Sequence, residues 1–130
     1  MKHWLLKTEP DCYSWEQMLE DGRTHWDDIH NYQARNFLRA MKTGDLAFFY
    51  HTGGERRIMG IVKIVKEAYA DPEDPTWSWV DVEKVSSLER PISLEDLKNH
   101  PLLPADHLLF RQGRLSVVPF TAQEWEMVVG

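Results

Sequence analysis

The sequence predicts a small α+β barrel, in which helices are inserted between mostly antiparallel strands. Two features support this fold class. Short segments with strand character alternate with short helical segments along the 130 residues, and most of the strands follow one another at the spacing of hairpins. The chain also contains no internal repeat and no flexible linker. We therefore expect one domain that spans residues 1–130.

Five segments carry the residue pattern of strands. β-Branched and aromatic side chains are enriched in them, and the fourth segment alternates apolar with polar positions, as a strand with one solvated face does. The five segments are residues 3–7, 46–51, 58–66, 77–85 and 115–120. Between the third and the fourth, residues 71–75 form an acidic loop that contains two prolines.

Four helices are predicted from residues that cap a helix N-terminus. A Ser, Thr or Asn side chain at that position accepts a hydrogen bond from a free backbone N–H group. The expected caps are Ser14, Asn31, Ser93 and Thr121. Gln17 and Glu124 stand three residues after their caps, where they would complete a capping box. The first helix is expected to end at Gly22, and the second to span residues 32–42.

Charge and hydropathy exclude several classes of protein. The net charge is −6, from 15 basic and 21 acidic residues, which disfavours general adhesion to nucleic acid or to anionic membranes. No apolar run is long enough to cross a bilayer, and the N-terminal residues lack the apolar region of a signal peptide. We expect a monomer without a membrane partner, located in the cytoplasm, or in the nucleus if the source is eukaryotic.

Catalytic and metal-binding motifs are absent from the sequence. The single cysteine, Cys12, excludes an internal disulfide and a cysteine-based zinc site. His25 and His30 are five residues apart, which is not the spacing of a zinc-binding pair on a helix. The chain also lacks a phosphate-binding loop and a Gly-x-Ser-x-Gly nucleophile motif. We therefore expect a protein without a metal or a cofactor, and no enzyme.

The most informative segment covers residues 25–38. It combines aromatic rings, side-chain amides and a planar cation, which together can stack on a nucleobase, read its edge and hold its phosphate. These side chains are Trp26, Asn31, Tyr32, Gln33, Arg35 and Asn36. The alternative is that the rings belong to the core while the polar side chains cap and decorate a helix. Composition alone leaves both interpretations open.

Five blocks of sequence extend in a fixed order from residue 3 towards the C-terminal helix. They cover residues 3–10, 26–27, 31–38, 44–51 and 113–117. Together the blocks resemble the EVE domain family, and residues 31–36 are the most specific of them. The resemblance implies a PUA-like fold, which is a small, curved, mostly antiparallel β-barrel with inserted and flanking helices. It also implies a relationship to the YTH domain, which binds methylated adenine in RNA.

The resemblance further implies a non-catalytic module that recognises a modified nucleobase in nucleic acid, either a modified cytosine in DNA or a modified base in RNA. It places the ligand-binding residues at Lys7, Thr8, Glu9, Trp26, Asn31, Tyr32, Arg35, Asn36, Tyr50, His51, Arg114 and Ser116. The loops after residue 51 and at residues 70–77 are shorter than in many members of the family. Any contact that depends on the longer loops is therefore not expected here.

The chemistry of these side chains agrees with such a pocket. Trp26 and Tyr50 offer faces for stacking, and Glu9 can accept a hydrogen bond from an exocyclic amino group. Arg35 and Arg114, together with Lys7, are expected to meet the flanking phosphates. An alternative from another class is an enzyme or sensor domain that acts on a free nucleotide-like small molecule in the same pocket. Both alternatives need stacking and edge recognition, so the residue types alone do not separate them.

Overall fold

The computed structural model describes residues 1–27 and 29–130. Within them the chain forms β1 (His3–Thr8), α1 (Trp15–Asp21), β2 (Arg23–Trp26), α2 (Tyr32–Ala40), β3 (Leu46–His51), β4 (Arg57–Ala70), β5 (Ser78–Ser93), α3 (Leu94–Lys98), α4 (Leu108–Arg111), β6 (Val117–Phe120) and α5 (Ala122–Val129). The strands of this described part form one sheet in the order β2-β5-β4-β3-β1-β6.

The sheet is mixed but mostly antiparallel. The pairing of β1 with β3 is parallel, whereas β1–β6, β2–β5, β3–β4 and β4–β5 are antiparallel. Register shifts in the β3–β4 and β4–β5 ladders mark bulges, which bend the strands and increase their twist. Strands β2 and β6 form the two edges of the sheet. The predicted α+β class with a curved, mostly antiparallel sheet is therefore confirmed.

Strand β3 lies at the centre of the core, because both of its faces are covered. Successive side chains of a strand point to opposite faces. Phe48 stacks on Trp125 of α5 with ring centroids 3.8 Å apart, and Phe49 packs against Trp15 of α1 at 5.0 Å. All four rings are buried. Four of the six tryptophans of the sequence are buried in this aromatic core, namely Trp4, Trp15, Trp26 and Trp125.

The expected helix caps are present in the structure. The side chains of Ser14, Asn31, Ser93 and Thr121 each accept a hydrogen bond from the backbone three residues ahead. The capping box at Thr121 is complete, since its backbone N–H donates to Glu124 Oε1 at 2.9 Å. The side chain of Gln17 instead donates to Asp21 Oδ1 at 2.9 Å. The capping box expected at Ser14 is therefore only half formed.

Other differences arise where pairing partners are distant in sequence. Strand β2 and helix α4 were not predicted, β5 continues to Ser93 instead of residue 85, and α2 ends at Ala40 instead of residue 42. A four-residue segment such as β2 has no clear periodicity of its own, and its hydrogen bonds come from residues 80–83 of β5. No helix in the described part of the chain is long and apolar enough to span a membrane.

Candidate functional site

A cavity of about 830 Å³ opens at the C-terminal end of β1. This volume lies within the range of about 300–1,000 Å³ that is typical of small-molecule sites. The loop before α1, the edge strand β2, the segment after it, and the loops after β3 and before β6 complete the wall. The lining residues are Lys7, Thr8, Glu9, Cys12, Tyr13, Thr24, His25, Trp26, Asp27, Ile29, Thr52, Gly53, Gly113, Arg114 and Ser116.

Lys7 supplies a fixed, partly buried cation to this cavity. Its backbone N–H donates to the carbonyl of Ser116 at 2.9 Å, and its Nζ donates to the carbonyl of Gly113 at 2.9 Å. Burial disfavours the charged form, which lowers the pKa of Lys7 to about 8. A desolvated ammonium group interacts more strongly with an anion or a carbonyl oxygen than a solvated one does. Lys7 is therefore suited to hold an electron-rich group of a ligand.

The loop before α1 contributes an acceptor and an aromatic ring. Glu9 is exposed, and its Oε2 lies 3.8 Å from Cys12 Sγ. The hydroxyl of Tyr13 donates to Asp21 Oδ2 at 2.7 Å, and burial together with this hydrogen bond raises the pKa of Tyr13 to about 12. Since its hydroxyl is occupied, Tyr13 offers its ring, while Glu9 offers a carboxylate that can accept hydrogen bonds from a ligand.

Trp26 belongs mainly to the core and only in part to the cavity. It is 5% exposed, and its ring meets Phe49 edge-on at 5.5 Å and Tyr13 edge-on at 6.3 Å. Ile29, also 5% exposed, lines the cavity nearby. Of the two interpretations of Trp26 that the sequence left open, burial favours the core. The strip of Trp26 and Ile29 that faces the cavity forms an apolar patch on its wall.

His25 stands at the edge of the cavity on a stacked aromatic support. Its imidazole ring stacks on Trp79 of β5 at 4.5 Å with an interplanar angle of 10°. Its Nε2 lies 3.2 Å from the carboxylate of Asp27. These contacts fix the orientation of His25 from two sides. In the part of the chain that the structure describes, no group of three or more His, Cys, Asp or Glu side chains is arranged to hold a metal ion.

The structure brings half of the predicted ligand-binding residues together. The lining includes Lys7, Thr8, Glu9, Trp26, Arg114 and Ser116. It does not include Asn31, Tyr32, Arg35, Asn36, Tyr50 or His51. The six residues outside the lining fall into two groups, one on β3 and one at the start of α2, and each group has structural contacts that account for its position.

Tyr50 and His51 are buried at the end of β3, at 3% and 4% exposure. His51 Nε2 accepts the backbone N–H of Trp15 at 2.9 Å, so the proton of this imidazole is on Nδ1, which lies 3.2 Å from Glu55 Oε1. His51 thereby fastens α1 to the sheet. The ring of Tyr50 lies 5.8 Å from Lys7 Nζ, on the neighbouring strand. Both residues therefore lie behind the cavity wall, where Tyr50 packs beside Lys7 and His51 holds the start of α1.

The polar residues at the start of α2 are engaged with the helix and with the loop before β5. Asn31 Oδ1 accepts the backbone N–H of Ala34 at 2.9 Å as the helix cap. Arg35 Nη1 donates to the carbonyl of Thr76 at 3.1 Å. Tyr32 is 62% exposed, and its ring lies against the ring of Trp77.

Tyr32, Trp77 and Arg35 form one contact group beside α2. The ring centroids of Tyr32 and Trp77 are 5.2 Å apart, and the guanidinium of Arg35 lies 4.9 Å from the Tyr32 ring centroid. Asn36 Oδ1 accepts hydrogen bonds from Arg35 at 3.1 and 3.3 Å. This group fastens α2 to residues 76–77, outside the cavity. The helix-decoration alternative that the sequence left open thus describes the contacts of these side chains.

Several lining residues were not identified from the sequence. They are Cys12, Tyr13, Thr24, His25, Asp27, Ile29, Thr52, Gly53 and Gly113. All of them come from loops or from the unpredicted edge strand β2, which carry no regular hydrophobic period. The sequence offered one local signal for them, which is adjacency to predicted site residues. His25 and Asp27 flank Trp26, and Gly113 precedes Arg114.

Comparisons with known proteins identify the family of this chain. The family model described as "EVE domain" matches residues 2–130. The chain is 41% identical to thymocyte nuclear protein 1 of Gallus gallus, over 98% of this chain and 67% of that protein. That alignment is 162 residues long against 130 in this chain. The relative therefore carries insertions that this chain lacks.

Two solved structures share the architecture over nearly the whole chain. A protein from Agrobacterium tumefaciens superimposes with a TM-score of 0.94 at 38% identity, covering 99% of this chain and 91% of that one. Human THYN1 protein, solved in complex with 5-methylcytosine containing DNA, superimposes with a TM-score of 0.88 at 37% identity, covering 99% and 96%. The expected PUA-like fold is confirmed by these similarities. The chain belongs to the EVE domain family.

Proposed function

We propose that this protein is a non-catalytic module that binds a modified nucleobase of nucleic acid in the cavity at the end of β1. The observation that carries the proposal is the composition of the cavity wall, which combines aromatic rings, the exposed carboxylate of Glu9 and the cations Lys7 and Arg114 within about 830 Å³. The relative that supports it is human THYN1, which was solved in complex with 5-methylcytosine containing DNA. A modified cytosine in DNA is the ligand that we propose first.

A base in this cavity would meet complementary chemistry on each side. The carboxylate of Glu9 can accept a hydrogen bond from the exocyclic N4 amino group of cytosine, as acidic side chains do at this position. The ammonium group of Lys7 can donate to a carbonyl oxygen or a ring nitrogen. The apolar strip of Trp26 and Ile29 can accommodate an added methyl group, since burying a CH₂-sized group contributes about 0.8 kcal/mol. Tyr13 offers a ring for stacking.

The remaining predicted residues would act at the rim or through other groups. Thr8 is the last residue of β1, where its Oγ1 donates to the carbonyl of Tyr13 at 3.1 Å, and Ser116 directly precedes β6. Tyr50 and His51 would act as positioning residues beneath Lys7 and behind α1. Asn31, Tyr32, Arg35 and Asn36 would influence binding only through α2 and the loop before β5.

We further propose that residues 1–130 act as one domain and as a monomer. The elements on both faces of the sheet share one hydrophobic cluster, which supports a single folding unit. The proposed setting is the cytoplasm, or the nucleus in a eukaryote. The name of the curated relatives, thymocyte nuclear protein 1, supports the nuclear setting for eukaryotic members.

A binding panel tests the proposed function. Titration calorimetry would measure affinity for short DNA and RNA strands with one central cytosine or 5-methylcytosine, and for the corresponding free nucleosides. We expect a modified strand to bind more tightly than its unmodified counterpart. The ligand recovered after binding should be chemically unchanged. Preference for the free nucleoside, or conversion of the ligand, would instead favour the enzyme or sensor alternative. Equal affinity for modified and unmodified strands would contradict the proposal.

A further inference from the structure

Two loops flank the C-terminal end of β1 on opposite sides. Strand β1 lies between β3 and β6 in the sheet. The loop at residues 52–56 follows β3, and the backbone N–H of Thr52 donates to the carbonyl of Thr8 at 2.9 Å. The loop at residues 113–116 precedes β6, and its Ser116 carbonyl accepts the N–H of Lys7. Because adjacent strands are about 4.8 Å apart, the strand ends at which the two loops are attached lie roughly 10 Å apart, one on each side of β1.

Arg56, in the first of these loops, has a strained backbone. Its φ is 45°, and it is the one non-glycine residue with a positive φ in the part of the chain that the structure describes. Its carbonyl accepts the N–H of Leu94 at 2.8 Å, and its Nε donates to the carbonyl of Gly53 at 3.1 Å. Such strain costs on the order of 1–3 kcal/mol, is held by surrounding contacts and clusters at functional sites.

Arg56 does not itself line the cavity, but it lies next to the lining residue Gly53, and its terminal nitrogens are available to a strand that extends out of the cavity mouth. Nη1 and Nη2 have no hydrogen-bond partner among the described residues, and the residue is exposed. The neighbouring carboxylate of Glu55 is already engaged by His51 and Arg57. The Nε–Gly53 hydrogen bond holds the Arg56 side chain against a residue that lines the cavity.

Arg114, in the second loop, is the matching cation on the other side. It lines the cavity, it is exposed, and its guanidinium has no hydrogen-bond or ion-pair partner among the described residues. Most other arginines differ in this respect, because acceptors occupy the guanidinium groups of Arg23, Arg35, Arg39 and Arg57. Each side of the cavity mouth therefore presents guanidinium nitrogens that have no hydrogen-bond partner among the described residues: Nη1 and Nη2 of Arg56, and the whole group of Arg114.

We propose that Arg56 and Arg114 bind the two backbone phosphates that flank the nucleotide held in the cavity. Guanidinium groups bind phosphate oxygens through paired, charge-assisted hydrogen bonds. The site would therefore take an internal nucleotide of a strand, with a phosphate on each side, and not a terminal or free nucleoside. This inference rests on the proposed function and assigns Arg56 to it, although Arg56 belongs to none of the blocks that carried the family resemblance.

The test is a salt titration of binding to a single-stranded DNA with one central 5-methylcytosine. Each phosphate neutralised on a single strand contributes about −0.7 to the log–log salt slope. Arg56→Asn and Arg114→Gln should each make the slope shallower by about 0.7 and weaken binding of modified and unmodified strands by the same factor. Asparagine tolerates the left-handed backbone better than most residues do, and Arg56→Lys, which keeps the charge, should restore most of the slope.

Two matched controls remove the same charge away from the mouth. Arg57→Gln changes the adjacent residue, whose guanidinium is paired with Glu55, and Arg111→Gln changes an exposed residue on α4 that does not line the cavity. Each control should change the salt slope by much less than the change of about 0.7 expected for Arg56→Asn and Arg114→Gln. Slopes for Arg56→Asn and Arg114→Gln that equal those of the controls would overturn the phosphate assignment, even if the preference for 5-methylcytosine persists. Loss of that preference in the unaltered protein would count against the proposed function itself.

Discussion

Replacing Trp26 by alanine separates the two roles of this side chain. Trp26 is 5% exposed and packs on Phe49 and Tyr13, so its removal leaves a large cavity in the core. Deletion of a buried tryptophan costs about 3–5 kcal/mol. For 130 residues, an unfolding entropy of about 2.1 cal/mol/K per residue converts this loss into a decrease in Tm of roughly 11–18 °C.

Trp15→Ala is a matched control for this experiment. Trp15 is 4% exposed and packs on the same Phe49 ring at 5.0 Å, but it does not line the cavity. Its indole N–H also donates to Ser87 Oγ at 2.8 Å, so its removal should cost at least as much stability. Both variants should therefore melt well below the unaltered protein, while only Trp26→Ala changes the wall of the cavity.

The assay combines thermal unfolding with binding measured at a temperature where both variants are folded. Loss of a stacking ring costs about 1–3 kcal/mol per base, and the small exposed strip of Trp26 places the expected loss at the lower end of that range. Trp15→Ala should bind as the unaltered protein does. An unchanged Tm for Trp26→Ala would refute the assignment of Trp26 to the core. Equal binding by the two variants would refute its contact with the ligand.

Four further outcomes are expected. The folded state lowers the pKa of Lys7 to about 8, so between about pH 8 and pH 10 the unfolded chain binds more protons than the folded one. The free energy of unfolding should therefore rise over this pH range, up to the pH at which tyrosines begin to titrate. In denaturant titrations, Lys7→Met should abolish this rise. A Cβ at Gly60 would overlap the Trp15 ring, so Gly60→Ala should lose about 1–3 kcal/mol in chemical unfolding, whereas Gly54→Ala, which meets open space, should not. Arg35→Gln should leave the affinity for a modified strand unchanged in calorimetry, since the Thr76 carbonyl and the Asn36 side chain already occupy its guanidinium. A marked loss of affinity would show that Arg35 contacts the ligand. The unaltered protein should show a shallow salt slope of about −1 to −3, and a slope steeper than about −5 without base preference would indicate general backbone binding.

Local chemistry was readable from the sequence wherever a residue and its partner are close along the chain. Ser14, Asn31 and Thr121 cap their helices because the hydrogen bond spans only three residues. The alternation over residues 77–85 predicted a strand with one solvated face, and in the structure Ser78, Val80 and Val82 on one parity are buried. The sequence blocks also identified the family and, with it, the fold. These properties needed no knowledge of distant contacts.

The composition of the cavity was decided by the tertiary structure. Lys7, Glu9 and Arg114 meet because β1 lies between β3 and β6, an order that no local pattern encodes. β2 became a wall of the cavity only through its pairing with β5, a partner more than fifty residues away.

The same distant contacts removed half of the expected residues from the lining. His51 has the right chemistry for a ligand, but the backbone N–H of Trp15 occupies its Nε2. Arg35 has the right charge, but the carbonyl of Thr76 occupies its guanidinium. The sequence by itself determined which groups are present and which helices and strands carry most of them. Only the tertiary structure decided which groups remain available to a ligand, because a polar side chain binds whichever partner the fold brings within about 3 Å of it.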